Sequence, residues 1–134
     1  DMTRVRKMLR DNIDSYKARA EAVRTAEIYR GCFAIAQCPS KGLESPTVVG
    51  AQAANELLNI IGVKASFVLT SYNNIIYFSA RSIDEVNVQI IMEKLGGGGH
   101  INIAGAQVRR PMDEVEDMIK EIIDEMYQEE ETKK

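Results

Sequence analysis

Apolar residues recur every three or four positions along the first part of the chain. Residues 2–29 contain neither glycine nor proline, and this spacing predicts a long N-terminal helix. Its apolar stripe is uneven and consists of Val5, Met8, Leu9, Ile13, Tyr16, Ala20 and Val23. Where nothing in the domain covers this stripe, we expect it to pair with a second copy, which predicts a homodimer through the N-terminal helix.

The pattern then changes to a short strand followed by a second helix. Cys32–Gln37 is a compact apolar run that predicts a buried strand. Ser45 and Pro46 suit the N-cap and the first position of a helix, because serine can accept an orphan amide and proline needs no partner there. This helix is predicted to end at Gly62.

A β-hairpin and a third helix occupy the centre of the sequence. Residues 65–70 and 75–80 are rich in β-branched and aromatic side chains, and the asparagines between them predict a hairpin turn. Asn87 is suited to cap a helix. The apolar residues that follow it at helical spacing are Val88, Ile91, Met92 and Leu95.

The end of the chain combines small apolar residues with a long amphipathic pattern. Residues 100–106 predict a short helix and residues 107–109 an edge strand. Pro111 opens the last helix, whose acidic first turn complements its dipole. Its core-facing stripe consists of Val115, Met118, Ile119, Ile122, Ile123 and Met126. The elements together predict an α/β fold: a small mixed sheet of about four to five strands flanked by helices, with a long N-terminal helix.

Composition and charge narrow the class of protein. A chain of 134 residues that is 45% hydrophobic and 28% charged is expected to form one globular domain. The net charge of −3 argues against broad electrostatic binding of nucleic acid, so any phosphate binding must be local. No apolar run approaches the ~20 residues of a membrane span. This segment is therefore predicted to lie in the cytoplasm without membrane contact.

The two cysteines are predicted to be free thiols. Cys32 and Cys38 are six residues apart in an apolar run, which in a strand separates them by roughly 20 Å, too far for a disulfide. Two thiols and one distant histidine also form no recognisable zinc pattern. A reducing compartment is therefore expected.

The most unusual stretch is the glycine run Gly96–Gly99, which is followed by His100, the only histidine. Four glycines are costly to order, so a folded run implies close backbone approach or unusual φ values. Successive amides could then turn inward around an anion, with His100 as a further contact. A flexible linker or a helix cap is the alternative, although a cap needs only one glycine. The run is neither a Rossmann fingerprint nor a Walker A motif.

A second candidate group lies at the end of the predicted hairpin. Strand alternation places Ser79 and Arg81 on the same side of the sheet, and Ser82 follows them. A guanidinium and hydroxyl groups suit phosphate oxygens. The alternative is a solvated surface arginine. Because one short helix joins this strand end to the glycine run, the two groups could converge.

These motifs resemble a known family. Ser79-Ala80-Arg81-Ser82 and the stretch from Asn87 to His100 resemble the C-terminal DHH-associated domain of the DHH phosphoesterase superfamily. Within it, the likeness is greatest to the GdpP-type cyclic-di-AMP phosphodiesterases. Further matching stretches are Val5–Leu9, Tyr16–Ala20, Ala51–Ala54 and Ala65–Val68.

The resemblance implies the clamping half of a two-domain phosphodiesterase. An N-terminal DHH domain is expected to hold two manganese ions that activate water, and the domain seen here to grip a cyclic or short linear dinucleotide. The implied substrate contacts are Ser79, Arg81, Ser82, Gly97, Gly98, Gly99 and His100. No Asp-His-His sequence occurs, so no catalytic or metal-binding residue is expected in this chain, and hydrolysis requires the DHH domain of the parent. The resemblance also implies a parent anchored to the bacterial plasma membrane.

Three functional hypotheses follow. The first is the substrate clamp of a phosphodiesterase that converts cyclic-di-AMP to linear pApA. The second is the clamp of a nanoRNase or RecJ-like exonuclease for short oligonucleotides, and the third is a non-catalytic nucleotide-binding or assembly module. We expect residues 1–30 to be a helical linker from a missing DHH domain, residues 31–128 the DHH-associated domain and residues 129–134 a frayed tail.

Overall fold

The computed structural model describes residues 13–133, which fold into four helices and six strands. In chain order the elements are α1 (Ile13–Thr25), β1 (Glu27–Tyr29), β2 (Phe33–Cys38), α2 (Pro46–Leu57), β3 (Ala65–Tyr72), β4 (Ile75–Ser82), α3 (Val88–Glu93), β5 (Gly98–Gly99), β6 (Ile103–Val108) and α4 (Met112–Lys133). Among these residues, no helix is both long and apolar enough to span a bilayer.

The strands form one mixed sheet in the order β1-β2-β3-β4-β6-β5. The pair β2 and β3 is parallel and is connected through α2, whereas the other neighbours are antiparallel. The β3–β4 hairpin turns at Asn73 and Asn74, whose φ values of 52° and 62° suit a twisted two-residue turn. The predicted α/β class is confirmed, with six strands instead of four to five.

The N-terminal helix is shorter than predicted over the described part. Residues 1–12 lie outside the described residues, and α1 ends at Thr25, so the predicted continuation to residue 29 was wrong. Residues 27–29 instead form β1, because Arg30 and Gly31 adopt positive φ values and fold it back onto β2.

The buried face of α1 also differs from the predicted stripe. Ala18 and Ala22 pack on the domain, whereas Ile13 is 62% exposed and Tyr16 is 57% exposed. The small alanines allow the helix to lie close to β2 and α2, and Arg19 bonds Glu56 and Gln52 of α2. The prediction from helical spacing placed large apolar residues such as Ile13 and Tyr16 in the stripe, whereas the small alanines form the buried face.

The sheet is covered by helices on both faces. On one face, α3 and α4 pack over the larger core, where Phe67, Leu69 and Ile91 are fully buried. On the other face, α1 and α2 pack over a smaller core that includes Ala53, Leu57 and Val68. The predicted stripe of α4 is confirmed, since Val115, Ile119 and Ile123 are at most 1% exposed.

The last third contains two further differences from prediction. The short helix predicted over residues 100–106 was wrong, because Ile103–Val108 is strand β6. Its alternate residues Ala104, Ala106 and Val108 are buried against α3 and α4, so a period of two is present, although alanine has a low β-propensity. Helix α4 continues to Lys133, beyond the end predicted at residue 128.

Both cysteines are free thiols, as predicted. Cys38 is 4% exposed in β2, and burial raises the pKa of its thiol to about 11. At neutral pH this thiol is therefore protonated and poorly reactive. Cys32 is half-buried, and its Sγ lies 3.6 Å from the Tyr127 hydroxyl.

Candidate functional site

One face of the sheet is left partly uncovered. On the side where α1 and α2 pack, these helices cover β2, β3 and part of β4. The neighbouring strand β6 carries Ile103, which is 56% exposed, on this side. We call this uncovered region the open sheet face. It is formed by Tyr77, Ser79 and Arg81 on β4, by Ile103, Gly105 and Gln107 on β6, and by Gly98 on β5.

Arg81 is the principal cation of the open sheet face. Its Nε donates to Asn55 Oδ1 of α2 at 3.1 Å, and its Nη1 donates to the Ala80 carbonyl oxygen at 2.9 Å. Both acceptors are neutral, and no carboxylate among residues 13–133 forms an ion pair with this guanidinium. Partial burial lowers the pKa of Arg81, and the side chain nevertheless remains charged.

Four other arginines provide a contrast, whereas Arg109 is exposed and, among residues 13–133, also has no carboxylate partner. Arg19, Arg24, Arg30 and Arg110 each lie within 3.2 Å of a glutamate or aspartate oxygen. Arg81 is instead oriented by uncharged oxygens in a partly desolvated position. An anion placed there would receive charge-assisted hydrogen bonds that no internal carboxylate already occupies.

Ser79 lies on the same face, two residues before Arg81. Alternation along β4 places the side chains of Ser79 and Arg81 on one side of the sheet, as predicted. Phe78, Ala80 and Ser82 are buried on the opposite side. Helix α2 approaches closely here, because a Cβ on Gly50 would lie 2.5 Å from Thr70 Oγ1 and 3.8 Å from Ser79 Oγ. Ser79 therefore lies at the border between α2 and the open sheet face.

The structure explains most of the glycine run by packing within the chain. Gly96 turns the chain after α3 with a φ of 86°. At Gly97 a Cβ would overlap the Gly105 carbonyl oxygen and lie 2.6 Å from Ala106 Cβ, and at Gly99 it would lie 2.5 Å from the Ile103 carbonyl oxygen. These three glycines are therefore required by a turn and by close contact with β6.

Gly98 is different from its neighbours. A Cβ at this position would meet no atom of the described chain within 4 Å, and its φ lies outside the left-handed region. It pairs with Gly105, which pairs in turn with Ser79, so it belongs to the open sheet face. Nothing within residues 13–133 requires glycine here.

Three backbone amides of the predicted anion nest donate to carbonyl oxygens of the chain instead. The amides of Gly96, Gly97 and His100 donate to the carbonyl oxygens of Glu93, Met92 and Ile103, respectively. These donors are already satisfied within the chain. These three amides are therefore not available to an anion.

His100 lies close to the row of residues that contains Arg81. Reciprocal backbone bonds between His100 and Ile103 close the β5–β6 turn, and Ile103 pairs with Arg81. Two strand spacings, about 10 Å, therefore separate the backbones of His100 and Arg81. The register therefore places His100 at the same end of the sheet as Arg81, and the His100 side chain is exposed.

Ser82 points away from the open sheet face. It is 5% exposed, its hydroxyl donates to the Val86 carbonyl oxygen at 2.6 Å, and it accepts a bond from Asn102 Nδ2 at 3.0 Å. The Ile101 carbonyl oxygen lies 3.2 Å from the same hydroxyl. Ser82 thereby anchors the turn that carries His100, and the structure does not bring it to the face that Ser79 and Arg81 share.

Two residues of this site were missed from the sequence. Asn55 orients Arg81, and Gly105 leaves the centre of the open sheet face without a side chain. Gly105 lies within a stretch that was interpreted as a helix, so its face could not be assigned. Asn55 is 26 residues from Arg81 and carries no local signal, because only the packing of α2 on the sheet brings them together.

The described residues do not fit a manganese centre. Among them, no three histidine, cysteine, aspartate or glutamate side chains lie close enough to hold a metal ion. His100 is also the only histidine of the whole sequence. Such ions would have to be held by residues outside this part of the chain.

Fold and site together define an α/β domain with a partly uncovered sheet face, which carries an arginine that has no carboxylate partner within residues 13–133. Residues 31–129 match the DHHA1 domain, and the chain belongs to this family. The predicted resemblance to a DHH-associated domain is confirmed.

The similar proteins include two curated phosphodiesterases. The chain is 43% identical over 110 residues to the cyclic-di-AMP phosphodiesterase PdeA of Listeria monocytogenes, covering 81% of this chain and 17% of that protein. It is 39% identical over 131 residues to the cyclic-di-AMP phosphodiesterase GdpP of Bacillus subtilis, covering 96% of this chain and 20% of that protein. The chain therefore spans about a fifth of the length of these relatives.

Solved structures show the same fold. An exopolyphosphatase-related protein from Bacteroides fragilis superposes with a TM-score of 0.75 at 17% identity, covering 87% of this chain and 36% of that one. At this identity the likeness concerns the fold alone.

Proposed function

We propose that this chain is the substrate-binding domain of a metal-dependent phosphodiesterase that hydrolyses cyclic-di-AMP to linear pApA. The observation that carries the proposal is Arg81, a partly buried guanidinium with neutral partners on an uncovered face. Support comes from the family and from the two relatives whose names give cyclic-di-AMP as substrate. In this proposal Arg81 and Ser79 bind phosphate oxygens.

The remaining predicted contacts have separate roles in the proposal. His100 donates a hydrogen bond from the β5–β6 turn, and Gly98 leaves room for the ligand beside it. Gly97 and Gly99 hold that turn against β6, and Ser82 anchors it from below. These residues shape the site without all touching the ligand.

Replacing Arg81 by alanine is expected to weaken binding of pApA and cyclic-di-AMP about 10-fold or more, because charge-assisted hydrogen bonds contribute about 1.5–3 kcal/mol. Amide chemical shifts recorded during titration of the chain with each dinucleotide give the Kd. R81K keeps a point charge but loses the planar fork, so it should restore only part of the affinity.

Arg110→Ala is the matched control, since Arg110 is exposed and already paired with Glu114. This variant should bind as the unchanged chain does. Equal Kd values for the chain and its R81A variant would contradict the phosphate-binding role. Shifts confined to the β4 end and residues 96–100 would locate the site, and tighter binding of linear oligonucleotides than of either dinucleotide would favour an exonuclease clamp.

The chain alone is expected to bind dinucleotide without cleaving it. Hydrolysis of a phosphodiester by metal-activated water needs ligands that residues 13–133 do not assemble. The measurement is chromatography of cyclic-di-AMP after incubation with the purified chain and manganese. Formation of pApA above the level without protein would overturn this part of the proposal.

A further inference from the structure

Beyond the phosphate contacts, the open sheet face carries an aromatic and an amide side chain in one register pair. Tyr77 on β4 pairs directly with Gln107 on β6. Alternation places both on the side of the sheet that carries Ser79 and Arg81. Residues opposed in this way have Cβ atoms about 4.5–5.5 Å apart, so the phenol ring and the amide are neighbours.

These two side chains line a recess at the edge of the sheet. The recess has a volume of about 530 Å³, and the other residues that line it are Phe78, Gly96, Gly97, Gly105 and Ala106. Tyr77 is half-buried and Gln107 is exposed. Across the part of the chain that the structure describes, neither side chain makes a hydrogen bond to another residue, so the amide is available to a ligand.

The recess lies at a suitable distance from the phosphate-binding residues. Four residues along β4 separate Tyr77 from Arg81, which corresponds to about 14 Å. Between them lies Ser79, and the row that it forms across the sheet continues to Gly105 on β6 and Gly98 on β5. A nucleoside monophosphate lying along β4, with its phosphate at Arg81, would cross the glycines with its sugar and reach the recess with its base.

We propose that Tyr77 and Gln107 form a nucleobase subsite that selects adenine over guanine; this inference rests on the proposed function. The Tyr77 ring supplies a stacking surface, which accepts any base and is worth about 1–3 kcal/mol. The Gln107 amide can donate one N–H to adenine N7 while its carbonyl oxygen accepts from adenine N6–H₂. Guanine presents two acceptors, O6 and N7, on the same edge. The amide oxygen would therefore face another acceptor, with no proton between the two atoms.

The test compares two linear dinucleotides, pApA and pGpG, by titration of the full chain. The unchanged chain is expected to bind pApA about 10-fold more tightly than pGpG. Gln107→Leu should reduce that ratio to about 1 by weakening pApA alone, whereas Tyr77→Leu should weaken both ligands by a similar factor. Gln89→Leu on α3, which covers the other side of the sheet, is the matched control and should leave the ratio unchanged.

The outcomes separate this inference from the proposed function. If Gln107→Leu keeps the original ratio while Arg81→Ala still weakens both ligands, the base subsite is overturned and the phosphate site stands. If the unchanged chain binds neither dinucleotide, or if Arg81→Ala has no effect, the proposed function fails and the subsite fails with it. Thermal unfolding of each variant shows whether a lost affinity comes from a lost fold.

Discussion

Replacing Gly97 by alanine is expected to destabilise the domain by about 2–4 kcal/mol, the range of strong overpacking in a site that cannot relax. The added methyl group would overlap the Gly105 carbonyl oxygen and lie 2.6–2.7 Å from atoms of Ala106. Two of these three neighbouring atoms are backbone in the middle of β6. Relief therefore requires movement of a paired strand, and movement of Gly97 would strain the bond from its amide to the Met92 carbonyl oxygen.

Urea unfolding monitored by circular dichroism measures this change, because the midpoint shifts with stability. Gly98→Ala is the control, since it makes the same chemical change one residue away, where a Cβ meets nothing within 4 Å. A G97A variant as stable as the unchanged chain would show that β5 does not lie against β6 as described. Equal destabilisation by both variants would indicate a general requirement for glycine flexibility, as in a hinge.

The elements that sequence alone predicted correctly are those with strong local signals. The stripe of α4, the hairpin turn at Asn73 and Asn74, and the N-cap at Asn87 were all confirmed, and the Asn87 side chain accepts from the Ile90 amide at 3.2 Å. Ser45 does lie at the N-cap position of α2, although its side chain makes no capping bond. Each of these signals depends on a few neighbouring residues.

The elements that were missed depend on partners distant in sequence. Strand β1 is three residues long and is a strand only because β2 pairs with it. The centre of strand β6 is Ala104-Gly105-Ala106, which has little preference for a strand, and its pairing with β4 decides its structure. Pairing of this kind leaves at most a weak local pattern in the sequence.

The candidate site shows the same difference between local signals and contacts that are distant in sequence. Alternation along β4 was enough to place Ser79 and Arg81 on one face. It could not show that the row from Ser79 passes through Gly105 to Gly98, because that depends on the order and register of three strands. The sequence also could not separate the three glycines that serve packing from the one that does not. That separation makes Gly98 the most informative position for ligand binding.

Replacing Gly98 by valine is expected to lower the affinity for pApA and cyclic-di-AMP by about 100-fold or more, equivalent to about 3 kcal/mol. The position lies on the open sheet face, in the row of Ser79 and two residues along the sheet from the row of Arg81. A branched side chain there would occupy the space that the proposed ligand needs, which is how a steric element rejects a partner. Valine favours extended backbone, so the strand itself should tolerate it.

The measurement pairs dinucleotide titration with urea unfolding on the same samples. Gly98→Ala should give an intermediate loss of affinity, so that affinity falls with side-chain volume while stability changes by less than about 0.5 kcal/mol. The expectation for Gly97→Ala is the reverse, because that substitution lowers the stability of the domain. If G98V binds as well as the unchanged chain, the ligand does not lie across β5. The phosphate contacts at Arg81 would then have to be reached from the side of α2, beside Asn55.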